Sequence, residues 1–182
     1  RIHKEKGVHL LVKSLSLLNA KKFKLKLKLI GPYKKQEGGS GADYFNDLYN
    51  YFKNIDYVKP ISNPKILSNH IHESDIFCYP SLSENGETFG VSVIEAMACG
   101  KPVVVSKLSC FSDFVENNQN GMIFDHKSTN NIRNLSDKIQ CLIENNELRE
   151  KISKNAVETS KFYSNKYISR IHIDNFKELY NA

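Results

Sequence analysis

The sequence has no run of about 18 apolar residues, so it offers no membrane-spanning helix. Its four cysteines, Cys78, Cys99, Cys110 and Cys141, contain no C-x-x-C pair, and their spacings suit no common zinc site. Reduced cytosolic thiols are expected, with Cys78 in an apolar run and Cys99 in a helix-like run. No Gly-x-Gly-x-x-Gly follows a strand pattern, which argues against a dinucleotide dehydrogenase. No motif of the known nucleic-acid modules is present, so nucleic acid is not an expected partner despite the net charge of +6. There is no internal repeat and no domain linker. Arg1 to Leu18 is amphipathic rather than a basic head followed by an apolar block, so no signal peptide is expected. The chain opens on Arg1 rather than Met and is expected to be part of a longer protein.

What is present suits one domain. The chain has 182 residues, 40% hydrophobic and 25% charged, enough for a real core but not for two large domains. Lysine dominates the positive charge, with a cluster from Lys21 to Lys35. That cluster reads as a solvated face, or as a surface attracting an anionic membrane or phosphorylated ligands.

Apolar residues at Val8, Leu11, Val12, Leu15 and Leu18 predict a helix over 8–21. Phe23 to Ile30 alternates apolar residues with lysine and predicts a strand, stopped by Gly31-Pro32. Gly38 to Gly41 reads as a flexible loop, 42–53 as an aromatic-rich helix and 55–58 as a short strand. Asn63 is the expected N-cap of a helix over 63–72, with Pro64 at its first position. A short apolar strand over 74–79 precedes a polar loop over 81–88 and a buried helix over 89–99, which Gly100 stops. The valines of 102–106 predict a strand covered on both faces. A short helix over 111–116, a strand over 121–124 and helices over 129–144, 147–161 and 165–179 complete the chain. Such alternation predicts an α/β domain with a mainly parallel sheet and right-handed crossovers. Ligands of such sheets bind beyond the carboxyl ends of the strands.

The loop after Tyr79 runs PSLSENGETFG and leads into VSVIEAMACGKPVVVS. A helix starting near Phe89-Gly90 would offer free N–H groups and a partial positive charge, which suit a phosphate. Glycine at 90 would let the backbone approach an anion closely. Glu95, about a turn and a half along the helix, could accept hydrogen bonds from vicinal ribose hydroxyls. Glu87, in the loop, could face a sugar. His70 and His72 read as structural residues on a solvent-facing helix, and Glu84 as a solvated loop acid.

The pattern Glu87, seven residues, Glu95, embedded in ETFGVSVIEAMACGKPVVVS, resembles the E-x7-E motif of retaining glycosyltransferases with the GT-B fold. The pattern is most similar to family 4, the group 1 glycosyl transferases of lipopolysaccharide and capsule synthesis. The opening RIHKEKGVHLLVKSL is similar to the segment after the first strand of that family's C-terminal domain, with Arg1 and Lys6 five residues apart before Gly7. Taken alone, the two cations would read as surface charge.

The resemblance implies that residues 1–182 are a Rossmann-like, three-layer nucleotide-sugar-binding domain, the C-terminal half of a GT-B fold ending in helices. An N-terminal acceptor domain and the domain's first strand would precede it. Arg1, Lys6 and Glu87 would be the catalytic residues: the two cations, with the backbone of Phe89 and Gly90, would hold the donor diphosphate and stabilise it as it leaves, and Glu87 would contact the transferred sugar. Thr88 would also belong to the donor site, Gly31 would lie near the nucleotide and Glu95 would hold the ribose. Tyr57 to Ile61 would cradle the base. The implied activity is retaining transfer from a nucleotide-sugar to a glycan or lipid-linked acceptor, in the cytoplasm or peripherally at the membrane. No cofactor is implied, and with no D-x-D site near the motif no metal either. A non-catalytic nucleotide- or protein-binding module of the same fold is the alternative. An epimerase or phosphorylase of that fold is a third, though the lysine context of a phosphorylase cofactor is not found.

Overall fold

The computed structural model describes residues 1–21 and 23–181. Its elements, in chain order, are α1 (Val8–Ala20), β1 (Leu27–Ile30), α2 (Ala42–Tyr51), β2 (Ile55–Val58), α3 (Pro64–His72), β3 (Phe77–Tyr79), α4 (Val91–Ala98), β4 (Val103–Ser106), β5 (Met122–Phe124), α5 (Asn131–Glu144), α6 (Asn146–Lys161) and α7 (Asn165–Asn181). Every ladder among the described residues is parallel. The strands form two pieces, β1-β2 and β3-β4-β5.

Helices cover both faces, as the alternating pattern requires. The period of two in β4 sends Val104 to one side and Val103 and Val105 to the other. Val104 joins Val12, Leu15 and Leu18 of α1, Phe45 and Leu48 of α2, and Leu135, Ile139 and Leu142 of α5. Leu29 of β1 belongs to that same core, so one apolar layer runs beneath both sheet pieces. On the opposite face, Val103 and Val105 meet Ile71 of α3, Val93 and Met97 of α4, Phe111 and Ala156 of α6. Each fully buried aliphatic side chain of this kind contributes about 1.5–3 kcal/mol relative to exposure. Ser14 is buried without penalty, because its one hydroxyl proton is shared between the carbonyls of Leu10 and Ile132, each 2.8 Å away, which ties α1 to α5.

Several boundaries differ from the sequence expectation. The first strand is shorter than 23–30, because β2 begins only at Ile55 and leaves residues 23–26 without a ladder partner. Instead the Phe23 N–H reaches the Leu18 carbonyl, and the Asn54 side-chain amide donates to the Leu25 carbonyl. The strand expected from Ser74 starts at Phe77, since Ser74 closes the end of α3 through the Ile71 carbonyl. The helix expected over 111–116 is a tight turn at Ser109–Phe111 followed by a single further loop. The glycine-rich stretch 38–41 is not a free loop. Its Ser40 N–H donates to the Ile2 carbonyl, the Gly41 N–H to the Tyr33 carbonyl, and the Ser40 hydroxyl accepts from the Lys4 N–H. Asn63 caps α3 as expected, accepting from the N–H groups of Lys65 and Ile66. The lysine-bearing side of β1 is partly covered: Lys28 contacts Glu73 and His70, so His70 is half-buried rather than solvent-facing. α7 buries none of its side chains against the described residues. No described helix is long and apolar enough to cross a membrane.

Candidate functional site

The segment before α1 lies across the carboxyl ends of β1 and β3. The Ile2 N–H donates to the Pro32 carbonyl at 2.7 Å, just after β1. The Leu82 N–H donates to the Glu5 carbonyl at 2.7 Å, just after β3. Gly7 turns the chain from this segment into α1 at a left-handed φ of 63°, and any Cβ there would collide with the Pro80 carbonyl. The backbone therefore seats Lys6 over the β3 loop, and its ammonium meets Glu87 Oε2 at 2.5 Å. The side chains are 17% and 9% exposed. Burial opposes the charge on Lys6, but the hydrogen bond to Glu87 and the contact with Tyr79 outweigh it and hold Lys6 above the ordinary lysine range. The site thus carries a fixed cation at the end of the sheet where ligands of α/β domains bind.

Arg1 is placed differently. Its guanidinium reaches the Gly38 carbonyl at 3.5 Å and Glu5 at 3.7 Å, half-exposed, rather than touching Lys6 or Glu87. Gly31 is buried, donates its N–H to the Val58 carbonyl and packs against the Arg1 backbone. Tyr57 engages its ring with Tyr33 and Phe45 in an aromatic cluster at the end of β2.

Gly90, not Phe89, is the N-cap of α4. It sits at φ 84°, with a Cβ position only 2.5 Å from the Phe111 ring, so glycine is required both by conformation and by space. The free N–H groups at the start of α4 lie beside the loop that carries Glu87. Thr88 is exposed. The Phe89 ring packs on Phe114 and Tyr163, which makes its side chain structural and leaves its backbone to the loop. Glu95 is exposed on α4, and its carboxylate makes no hydrogen bond or ion pair with the described residues. It is thus available to an external partner.

Two contributors were not visible in the sequence. Tyr79, the last residue of β3, lies under the Lys6 ammonium, 5.3 Å from Nζ to the ring centroid. His126, in the loop after β5, is 5% exposed and its Nε2–H donates to Glu84 at 2.7 Å. Lys127 adds a second contact to Glu84 at 2.9 Å. Glu84 is therefore not a freely solvated acid, and Lys127 and His126 hold its carboxyl below the ordinary glutamate range. Nothing in the local sequence marks either residue, because the pairing arises only when loops from separate strands meet. The four cysteines are free, and burial pushes the Cys78 thiol up to about 12.

The family profile described as Glycosyl transferases group 1 matches residues 1–159. The capsular polysaccharide biosynthesis glycosyltransferase CapM of Staphylococcus aureus is 29% identical over 182 residues, covering 100% of this chain and 44% of CapM. The N,N'-diacetylbacillosaminyl-diphospho-undecaprenol alpha-1,3-N-acetylgalactosaminyltransferase of Campylobacter jejuni is 35% identical over 103 residues, 57% of this chain and 26% of that protein. Among solved structures, Anabaena Alr3699/HepE in complex with UDP and glucose superposes with a TM-score of 0.77 at 22% identity, over 98% of this chain and 46% of that one. The chain thus spans less than half the length of the relatives it matches. By sequence it belongs to the glycosyl transferases group 1 family, and its fold is that of the C-terminal half of GT-B glycosyltransferases.

Proposed function

We propose that this chain is the donor half of a retaining glycosyltransferase that moves a glycosyl group from a nucleotide-diphosphate sugar to a glycan or lipid-linked acceptor. The observation that carries the reading is the Lys6–Glu87 pair, fixed beside the free N-terminus of α4 with Glu95 exposed further along the same helix. A leaving nucleoside diphosphate gains negative charge. A desolvated lysine and backbone N–H groups stabilise it without reorganising at the moment of reaction. Lys6 stays protonated through the physiological range, which suits that task. Arg1 lies near enough in sequence and space to add a second charge as the donor enters. Glu95 takes the ribose hydroxyls, and Glu87 contacts the transferred sugar while steering Lys6. Attack from the same face, with leaving-group assistance, gives retention, and no metal or cofactor is part of the reading.

The relatives support the class of ligand: HepE was crystallised with UDP and glucose, and the names of CapM and the Campylobacter enzyme place them in capsule and lipid-linked glycan synthesis. An acceptor domain would precede this chain, and closing the two around the donor would exclude water and favour transfer over hydrolysis. Exposed lysines such as Lys24 and Lys26 permit peripheral contact with an anionic membrane, where a lipid-linked acceptor resides.

Calorimetric binding of UDP, GDP and ADP to the full-length protein tests the reading. One nucleotide should bind, and Glu95→Ala should weaken it by about 1–3 kcal/mol, the cost of leaving ribose hydroxyls unpaired. A folded protein that binds none of them would sink the donor assignment and favour a non-catalytic module of the same fold.

A further inference from the structure

We propose that Tyr79 is a positioning residue for the Lys6–Glu87 pair, its ring forming the platform that fixes the lysine ammonium at the donor end of the sheet. The inference rests on the donor reading and deepens it, since nothing in the sequence pattern around Glu87 and Glu95 requires an aromatic residue at 79.

Three observations converge on this ring. Tyr79 ends β3, paired in register with Val105, so its position is set by the parallel ladder rather than by a loop. One side of the ring faces Lys6 Nζ at 5.3 Å from the centroid, and its phenol lies beside both Lys6 and Glu87. The ring also meets Phe111 nearly edge-on, at 5.9 Å and 88°. Phe111 in turn is fully buried and fills the space against Gly90, at the start of α4. A single ring thus touches the cation and the support beneath the anion-facing helix end.

The physical need is clear from the lysine itself. Its ammonium ends a stem of four rotatable carbons and has three donors, and only one hydrogen bond to a carboxylate is present. A carboxylate alone leaves the ammonium free to pivot about it. The negative face of an aromatic ring restricts that pivot, and the attraction is stronger for a desolvated cation such as this one. Burial raises the phenol above the ordinary tyrosine range, so it keeps its proton and adds no competing charge beside Glu87.

The test is a double-mutant cycle in the full-length protein, read by calorimetric binding of UDP, or of GDP or ADP if the wild type prefers one of them. Tyr79→Leu should weaken nucleotide binding by roughly 2- to 30-fold, the range of a cation–π contact. Tyr79→Phe, which keeps the ring, should stay within about twofold of wild type. In a Lys6→Ala background, Tyr79→Leu should have no further effect, because its action runs through the ammonium. A second readout needs no nucleotide: the Lys6 side-chain NMR signals should carry an aromatic ring-current shift that Tyr79→Leu removes and Tyr79→Phe retains. If Tyr79→Leu weakens binding equally with and without Lys6, or leaves binding unchanged while Lys6→Ala abolishes it, the platform role is overturned and the donor reading stands. If the wild type binds no nucleotide, the donor reading fails, and the Tyr79 proposal fails with it.

Discussion

Glu84 sits where two loops of the site meet, and its carboxylate ties the β3 loop to the β5 loop through His126 and Lys127. Because these partners favour the ionised form, its folded value lies below the ordinary glutamate value. The resulting stabilisation is present above the ordinary carboxylate range and is lost as pH falls through the folded value. Glu84→Gln should therefore lower the melting temperature at neutral pH, and its difference from wild type should shrink below about pH 4. A difference that persists unchanged into acid would mean the pair does not hold the loop. At this scale the sequence was readable wherever spacing along one chain segment carries the chemistry. Glu87 before Gly90 could be singled out because loop and helix-start geometry act over a few residues, whereas Lys6 is singled out only by the resemblance of its segment to the family, since alone it reads as surface charge. Tyr79 and His126 could not be, because their partners, Lys6 and Glu84, are 73 and 42 positions away and meet them only through the sheet.

Among the elements, α7 poses the sharpest question. Its sequence is helical by period, and it was legible as a helix for that reason. Yet Ile168, Ile171, Ile173, Phe176 and Leu179 are all exposed, and none packs into the described domain. An amphipathic helix with an uncovered apolar face is stable only when something buries it. In the full-length protein, Ile171→Ser combined with Phe176→Ser should lower stability by about 1.5–3 kcal/mol for each side chain that becomes fully buried there. Denaturant unfolding that matches wild type would show that the face stays in solvent. The sequence could show the apolar stripe but not its cover, since periodicity marks a face and says nothing of what meets it. β1 shows the same limit from the other side. Its alternation from Phe23 was real, but a ladder needs a partner, and β2 supplies one only from Ile55.

For the molecule as a whole, the feature that frames the site is the division of the sheet into β1-β2 and β3-β4-β5. β1 and β3 each pair on one edge only among the described residues, yet Leu29 and Val104 share one core beneath both pieces. The segment Arg1–Gly7 is seated between their ends, bonded to Pro32 after β1 and meeting the loop after β3 through Glu5. We propose that the first strand implied by the resemblance, leading into Arg1 from that side, would run parallel to both strands and bridge them. Ladder parity then singles out particular amides. The N–H groups of Leu27 and Gly31 point to the β2 side, and that of Phe77 to the Pro102 carbonyl beside β4. By the period of two, the N–H groups of Lys28, Ile30 and Cys78 point to the other edges. Buried backbone donors in folded proteins are almost always paired. In the full-length protein these three amides should therefore exchange with solvent as slowly as those of β4, as hydrogen–deuterium exchange resolved to single residues would show. Exchange at the rate of exposed loops would mean that the two sheet pieces remain separate and that the proposed donor site is built on a divided scaffold. Slow exchange would join them into one parallel sheet, with Lys6 and Glu87 at the carboxyl end of its centre, the position where α/β domains bind their ligands.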